Sequence, residues 1–330
     1  MPILPDVAVI MPALNEEIHL ESAVRAILNQ EYAGKLQVVL AIGPSVDATA
    51  DIAKKLSDED SRIIVVANPS GRTPDGLNCA IAATTEPIIV RVDAHSELSD
   101  NYITTAVETL ARTGADNVGG IMAATGVSNF EQAVAAAMTS KLGVGSAPFH
   151  VGGNEGPADS VYLGVFRRTA LDRVGGYDPT FTRAQDWEMN FRIRNTGGLV
   201  WFNPNLLVTY RPRSSIRALA KQYFQYGQWR HKVMREHPES ARSASAIRYY
   251  APPVAVIGIF LGMVLGVTGL LANNAALSMS LGLPLSYLAF IIASTIWLAK
   301  SARRGSGYVP LVLATMQVCW GVGFIFSPRK

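Results

Sequence analysis

The sequence predicts a doubly wound α/β domain followed by a basic, aromatic segment and a set of apolar helices. Three observations carry this expectation. Short apolar runs alternate with segments of helical period between residues 7 and 92. Every acidic residue lies at or before Glu239. Long uncharged runs fill most of the chain from Pro252 onward.

Residues 7–11 (Val-Ala-Val-Ile-Met) read as a buried strand, stopped by Pro12. Residues 17–29 follow with helical spacing through Ile18, Leu20, Ala23, Val24, Ile27 and Leu28. A second strand is expected at 37–42, a helix near 47–57 and a third strand at 62–67. A helix at 75–85 and a fourth strand at 87–92 complete the series. Strands alternating with helices indicate a parallel, doubly wound sheet, in which ligands bind beyond the carboxyl ends of the strands. The polar residues after each strand therefore converge: Asn15 and Glu16, then Asp47, then Arg72, then Asp93 and His95. Residues 115–212 are less regular, with Gly119-Gly120, Gly152-Gly153 and Gly175-Gly176 punctuating short strands and loops.

The seven basic residues after Glu239 exceed the total net charge of +3, so residues 1–239 are net acidic. The basic balance thus belongs to the tail and suits anionic lipid head groups; no nucleic-acid partner is expected. Residues 252–272, 275–299 and 308–326 hold no charge over 21, 25 and 19 positions. Each is long enough for a hydrocarbon core of roughly 30 Å. Asn273-Asn274 fits an outer loop, and Lys300, Arg303 and Arg304 an inner one, which places the first domain in the cytoplasm. A third crossing leaves Arg329 and Lys330 outside, against that bias, so the third run either crosses anyway or is tilted or re-entrant. The opening Met1-Pro-Ile-Leu-Pro-Asp lacks the regions of a signal peptide. Cys79 and Cys319 form no zinc spacing, and a disulfide between them is not expected. Residues 213–237 are basic and aromatic, which suits a helix in the membrane interface, or equally a helix packed on the first domain.

Asp93-Ala-His95 follows the fourth strand. An aspartate there, with a second ligand two residues on, can hold a divalent cation against a diphosphate. Oxygen donors suit Mg2+ or Mn2+, and an imidazole is tolerated better by Mn2+. An isolated Asp-x-His also fits a solvated loop.

Five motifs in order carry a resemblance. Val9-Ile-Met-Pro-Ala-Leu-Asn-Glu-Glu17 resembles the opening strand and acidic turn of the inverting glycosyltransferases of family 2. Gly43-Pro-Ser-Val-Asp47-Ala-Thr49 is similar to the segment whose aspartate contacts the base. Gly76-Leu-Asn78-Cys-Ala-Ile81 resembles the family's Gly-Leu-Asn helix start. Asp93-Ala-His95 takes the place of the metal-binding Asp-x-Asp. Gly175-Gly-Tyr-Asp178 with Gln185-Asp186-Trp187-Glu188 resembles the acceptor-side motif carrying the catalytic base. The resemblance covers about residues 6–235 and, with the trailing apolar runs, points to the succinoglycan-type subgroup, whose members build lipid-linked glycans.

The resemblance implies a GT-A fold, a Rossmann-like doubly wound mixed sheet. Together with the charge pattern and the uncharged runs, it divides the chain into a catalytic domain (1–212), amphipathic interface helices (213–248) and a region of about three transmembrane helices (249–330). It also implies a nucleotide-sugar donor, a polyprenyl- or other lipid-linked glycan acceptor, and residence at the cytoplasmic membrane. Pro12, Asn15, Glu16, Asp47, Arg72, Asn78 and Asp93 fall on the donor side, with Asp93 and His95 as metal ligands. Asp47 accepts the ring N–H of uracil on this reading, but an aspartate there also suits a helix cap. Glu16 and Asn78 likewise suit local capping, and Arg72 a phosphate or solvent. Asp186 is the expected general base, taking the acceptor proton on the face opposite the leaving group. Gln185 and Trp187 flank it on the acceptor side. Gln225-Tyr-Gly-Gln228-Trp229 resembles the Gln-x-x-Arg-Trp motif of processive members, with Gln in place of Arg, which favours addition of a single sugar. The alternatives are a polyprenyl-phosphate sugar synthase and a nucleotide-binding pseudoenzyme.

Overall fold

The computed structural model describes residues 4–242 and 246–328. Met1 to Ile3, residues 243–245 of the expected interface segment, and Arg329 and Lys330, on which the parity of the apolar runs turned, lie outside the described residues. The chain divides into two compact units, Met1–Ala123 with Ala147–Tyr210, and Ala124–Ser146 with Arg211–Lys330.

The first unit is built on a mixed sheet. Its strands are β1 (Val7–Ala13), β2 (Leu36–Ile42), β3 (Ile63–Ala67), β4 (Ile88–Arg91), β5 (Glu97–Leu98), β6 (Asn117–Ala124), β7 (Gly156–Pro157), β8 (Tyr162–Arg167) and β9 (Val200–Tyr210). The order is β3-β2-β1-β4-β8-β6-β9-β5, with β7 on β9. The first four strands pair in parallel. β8 runs antiparallel to β4 and β6, and β5 and β7 run antiparallel to β9. The parallel expectation thus holds where helical crossovers join the strands and ends at β4.

β1 lies between β2 and β4 and is apolar at nearly every position because helices cover both faces. Its alternation sends Val7, Val9 and Met11 to one face, against Leu20–Leu28, Thr49–Glu59 and Tyr102–Thr113. Ala8 and Ile10 go to the other, against Thr73–Ala82 and Gln185–Asn195. Pro12 does not stop the strand, which runs on to Ala13. The Ile10 carbonyl accepts from the Val92 N–H, so Ile10 and Pro12 face β4, whose pairing with β1 ends at Ile10. The missing proline N–H falls past the last paired residue and costs no ladder bond. Strand order reverses between β1 and β4, and the crevice beyond their carboxyl ends is the place for a ligand.

The second unit is helical: Asn129–Met138, Ile216–Glu236, Ile247–Leu271, Gly282–Ala302 and Val309–Ile325 are its longer helices. Residues 124–146, which the sequence places within 1–212, pack here instead. Asn129–Met138 buries Ala133 through Met138, an apolar run whose partners are distant in sequence. Among the described residues, two helical runs are long and apolar enough to cross a membrane, Arg248–Leu271 and Ala275–Ile325. The second joins two of the three expected runs.

Candidate active site

The turns after β1 and β2 are laced together by hydrogen bonds. Asn15 adopts the left-handed conformation (φ 57°), which asparagine tolerates. Its N–H donates to Ser45 Oγ at 3.0 Å, and its Oδ1 accepts from the Val46 N–H at 2.9 Å. The Glu16 N–H donates to Thr49 Oγ1 at 2.7 Å. Asp47 accepts from the Glu17 N–H at 3.2 Å and from the Thr49 N–H and hydroxyl at 3.1 and 2.5 Å. The Thr49 hydroxyl, aided by these N–H groups, holds the Asp47 carboxyl below its ordinary range. Asp47 therefore performs the local bridging that the capping alternative allowed. Pro12, one residue before the end of β1, meets helix Thr73–Ala82 where Gly76 leaves room; a Cβ there would lie 3.1 Å from Pro12 Cβ.

Beyond β4 the sequence-predicted residues come together around Arg91, to which no motif assigned a role. Arg91 ends β4 with its side chain only 3% exposed. Its Nη2 lies 3.1 Å from Asp93 Oδ1, and its Nη1 contacts Asp186 Oδ1. The guanidinium also lies over the Tyr177 ring, 5.9 Å from its centre. Burial works against the charge on Arg91, but attraction to Asp93 and its neighbours outweighs it, and the pKa rises above the ordinary arginine value. The signal for Arg91 was a lone charge inside an apolar strand, two residues before the aspartate. A buried strand carries such a charge only with partners.

His95 Nδ1 lies 3.0 Å from Glu16 Oε1, joining the turns after β1 and β4 across the reversal of strand order. Among the described residues no group of three His, Cys, Asp or Glu side chains could enclose a metal. Asp93 and His95 are partly exposed donors two residues apart. That pair fits a cation taking its other ligands from diphosphate oxygens and water.

Asp186 reaches Arg91 because the chain before it is tied down. Helix Arg168–Val174 ends at Gly175 and Gly176, both left-handed (φ 76° and 74°). A Cβ at Gly176 would lie 2.7 Å from Asn78 Oδ1. The Asn78 amide donates to the Tyr177 carbonyl at 2.7 Å and accepts from the Tyr177 N–H at 2.8 Å. Both ends of this expected donor ligand are thus engaged by the loop that leads to Asp186. Asn78→Leu is expected to unpair both Tyr177 backbone groups and lower stability by about 2 kcal/mol, read by thermal or denaturant unfolding. Arg72, the other expected donor contact, pairs with Asp75 at 2.6 Å and donates to the Pro179 carbonyl at 3.4 Å.

Helix Gln185–Asn195 begins at Ala184, itself left-handed (φ 58°). Gln185 and Asp186 occupy its first turn, where the helix dipole favours a carboxylate. Glu188, 1% exposed, is bound by Arg192 at 2.5 and 2.7 Å, and Arg192 also donates to the Val174 carbonyl. This fixes the helix to the one before it. Trp187 stacks on Phe191 with ring centres 5.3 Å apart. Gln225, Gln228 and Trp229 belong to the second unit, on Ile216–Glu236. There Gln228 Nε2 lies 3.5 Å from the Phe326 carbonyl, and Lys232 Nζ sits 4.7 Å from the Trp229 ring centre.

Comparison with known proteins agrees with this geometry. The family model described as Glycosyl transferase family 2 matches residues 8–175. The chain is 30% identical over 319 residues to the succinoglycan biosynthesis protein ExoA of Rhizobium meliloti (strain 1021), covering 96% of this chain and 93% of that one. It is 23% identical over 230 residues to a dolichyl N-acetyl-alpha-D-glucosaminyl phosphate 3-beta-D-2,3-diacetamido-2,3-dideoxy-beta-D-glucuronosyltransferase of Methanococcus voltae, covering 67% and 71%. Among solved structures it shares its fold with the mannosyltransferase PcManGT of Pyrobaculum calidifontis in complex with GDP-Man and Mn2+ (TM-score 0.61, 18% identity, 98% and 90% covered). The mixed sheet is that of the GT-A glycosyltransferases. With half the chain under the family model and a relative matched nearly end to end, this protein belongs to glycosyl transferase family 2 and is a glycosyltransferase.

Proposed function

We propose that the chain inverts the anomeric centre of a nucleotide-sugar, preferably a UDP-sugar, and adds that single sugar to a lipid-linked glycan at the cytoplasmic face of a membrane. The observation that carries this reading is the sharing of Arg91 by Asp93 and Asp186. The donor-side and acceptor-side carboxylates thereby face one cleft.

Asp186 accepts the proton of the acceptor hydroxyl as its oxygen bonds to the anomeric carbon. The bond from that carbon to the β-phosphate oxygen breaks on the opposite face, and the nucleoside diphosphate leaves with the electron pair. Arg91 pairs with Asp186 and aims it. Asp93 and His95 would hold a divalent cation, which neutralises charge on the departing diphosphate when bound. Asp47 and Glu16 line the nucleotide end, and Trp187 the acceptor end. The name of the Methanococcus relative, a transferase acting on a dolichyl-phosphate-linked sugar, supports a lipid-linked acceptor. Gln228 in place of a cation supports addition of one sugar.

UDP titration of the full-length protein, with and without Mn2+, tests the donor half. Binding is expected to depend on Mn2+ and to lose that dependence in Asp93→Ala. Wild-type protein that binds no UDP in Mn2+ would overturn the uridine-nucleotide reading. A turnover screen over UDP- and GDP-sugars with membrane-reconstituted protein then identifies the sugar.

A further inference from the structure

We propose that this chain enters the hydrocarbon of a bilayer through one helical hairpin, Ile247–Leu271 and Gly282–Ala302, and that its third apolar helix, Val309–Ile325, is an inner brace that does not cross. The inference concerns the second unit and stands apart from the reading of the active site.

The three helices differ in length and in what they expose. The first two have 25 and 21 residues, about 37 and 31 Å, enough for a core of about 30 Å. Phe260 and Leu270 on the first, and Ile296 and Trp297 on the second, are 61–78% exposed. Surfaces so apolar suit lipid chains. The two helices pack closely: a Cβ on Gly262 would meet Pro284 Cδ at 2.8 Å and Leu283 Cβ at 3.0 Å. Val309–Ile325 has only 17 residues and buries Val309, Val312, Leu313 and Met316 completely. Arg303 (φ 51°) separates it from the hairpin, a conformation foreign to a continuing helix.

The decisive point is what the third helix touches. At its start, Tyr308 meets Phe130 edge-on at 5.8 Å, and a Cβ on Gly305 would meet the Asn129 carbonyl at 2.1 Å. At its middle, Gln317 Nε2 donates to the Leu142 carbonyl at 2.9 Å. At its end, Gly227 and Gly323 allow backbone contact: a Cβ on either would meet Trp320 or Phe224 carbonyl oxygen at 2.0 Å. Just beyond, Ser327 Oγ donates to the Gln228 carbonyl at 3.0 Å.

Every one of these partners precedes Arg248, where the first run able to cross a membrane begins. Segments 129–144 and 216–236 therefore lie on one side of the bilayer. A helix held by them at both ends and in the middle cannot have its ends on opposite sides. Ile216–Glu236 also carries Arg217, Lys221, Arg230, Lys232 and Arg235, so it does not lie in hydrocarbon, and neither does the helix end packed against it. Two crossings in place of three also remove the clash with the positive-inside bias.

The test uses the full-length chain in sealed membrane vesicles of both orientations, in a Cys79→Ser, Cys319→Ser background. Asp58→Cys, Ala272→Cys and Pro328→Cys, each exposed, are probed with a membrane-impermeant maleimide. Ala272→Cys is expected to react from one side only, and Asp58→Cys and Pro328→Cys only from the other. Reaction of Pro328→Cys from the Ala272 side, or from neither side, overturns the proposal. So does reaction of Ala272→Cys from the Asp58 side.

Discussion

Replacing Asp186 with asparagine is expected to slow sugar transfer by about 10³-fold while nucleotide-sugar binding stays near wild type. The amide keeps the shape of the carboxyl but cannot take the proton of the acceptor hydroxyl. It also removes one of the two negative charges on Arg91. Asp93 still balances that guanidinium, and the Asp186 side chain is 27% exposed, so the cost to folding is about 1 kcal/mol. Comparing melting curves with single-turnover rates separates the two effects. If Asp186→Asn transfers within tenfold of wild type, no proton needs to leave the acceptor. The lipid-phosphate acceptor of the sugar-synthase alternative, already ionised, then becomes the better account.

Arg91→Lys is expected to give a folded protein that binds donor yet transfers sugar about 10²-fold more slowly, because a displacement of about 1 Å at a reacting group costs that much. Arginine presents a planar fork with one nitrogen toward each carboxylate. Lysine offers a single ammonium on a shorter reach, which serves one carboxylate at a time. Asp93 then still supports the donor, but Asp186 is no longer aimed. The ratio of donor hydrolysis to transfer should therefore rise, an effect that loss of fold alone does not produce. Arg91→Met goes further and strips the counter-charge from a buried position, lowering stability by about 3 kcal/mol. A lysine variant with an unchanged hydrolysis-to-transfer ratio would remove Arg91 from the positioning role.

The four parallel strands were legible because each is a short apolar run bounded by glycine, proline or charge. Their helices show the 3.6-residue period needed to cover the sheet. The second half of the sheet was harder to read. β6 contains Gly119 and Gly120 and meets its neighbours through long-range pairing that no local period announces. Asp93 and Asp186 were singled out through motif order, and their meeting on Arg91 was not legible. That contact joins the end of one strand to a helix start 95 positions later in the chain. The Asn78 amide illustrates the same limit: its role depends on Tyr177, 99 residues away. Residues 124–146 look like any alanine-rich helix, and nothing in them names Gly305 or Gln317 as partners.

The stretch between Arg248 and Lys300 contains no ionisable acid or base of the Asp, Glu, Lys or Arg type. Carrying one such side chain to the bilayer centre costs about 3 kcal/mol. The hairpin incurs none of that during biogenesis, since its reversal at Ala272-Asn273-Asn274 is neutral. Insertion can thus proceed by dipping a preformed loop into the lipid from the side of synthesis. On the proposed two-crossing topology the catalytic unit then stays on the side where it was translated.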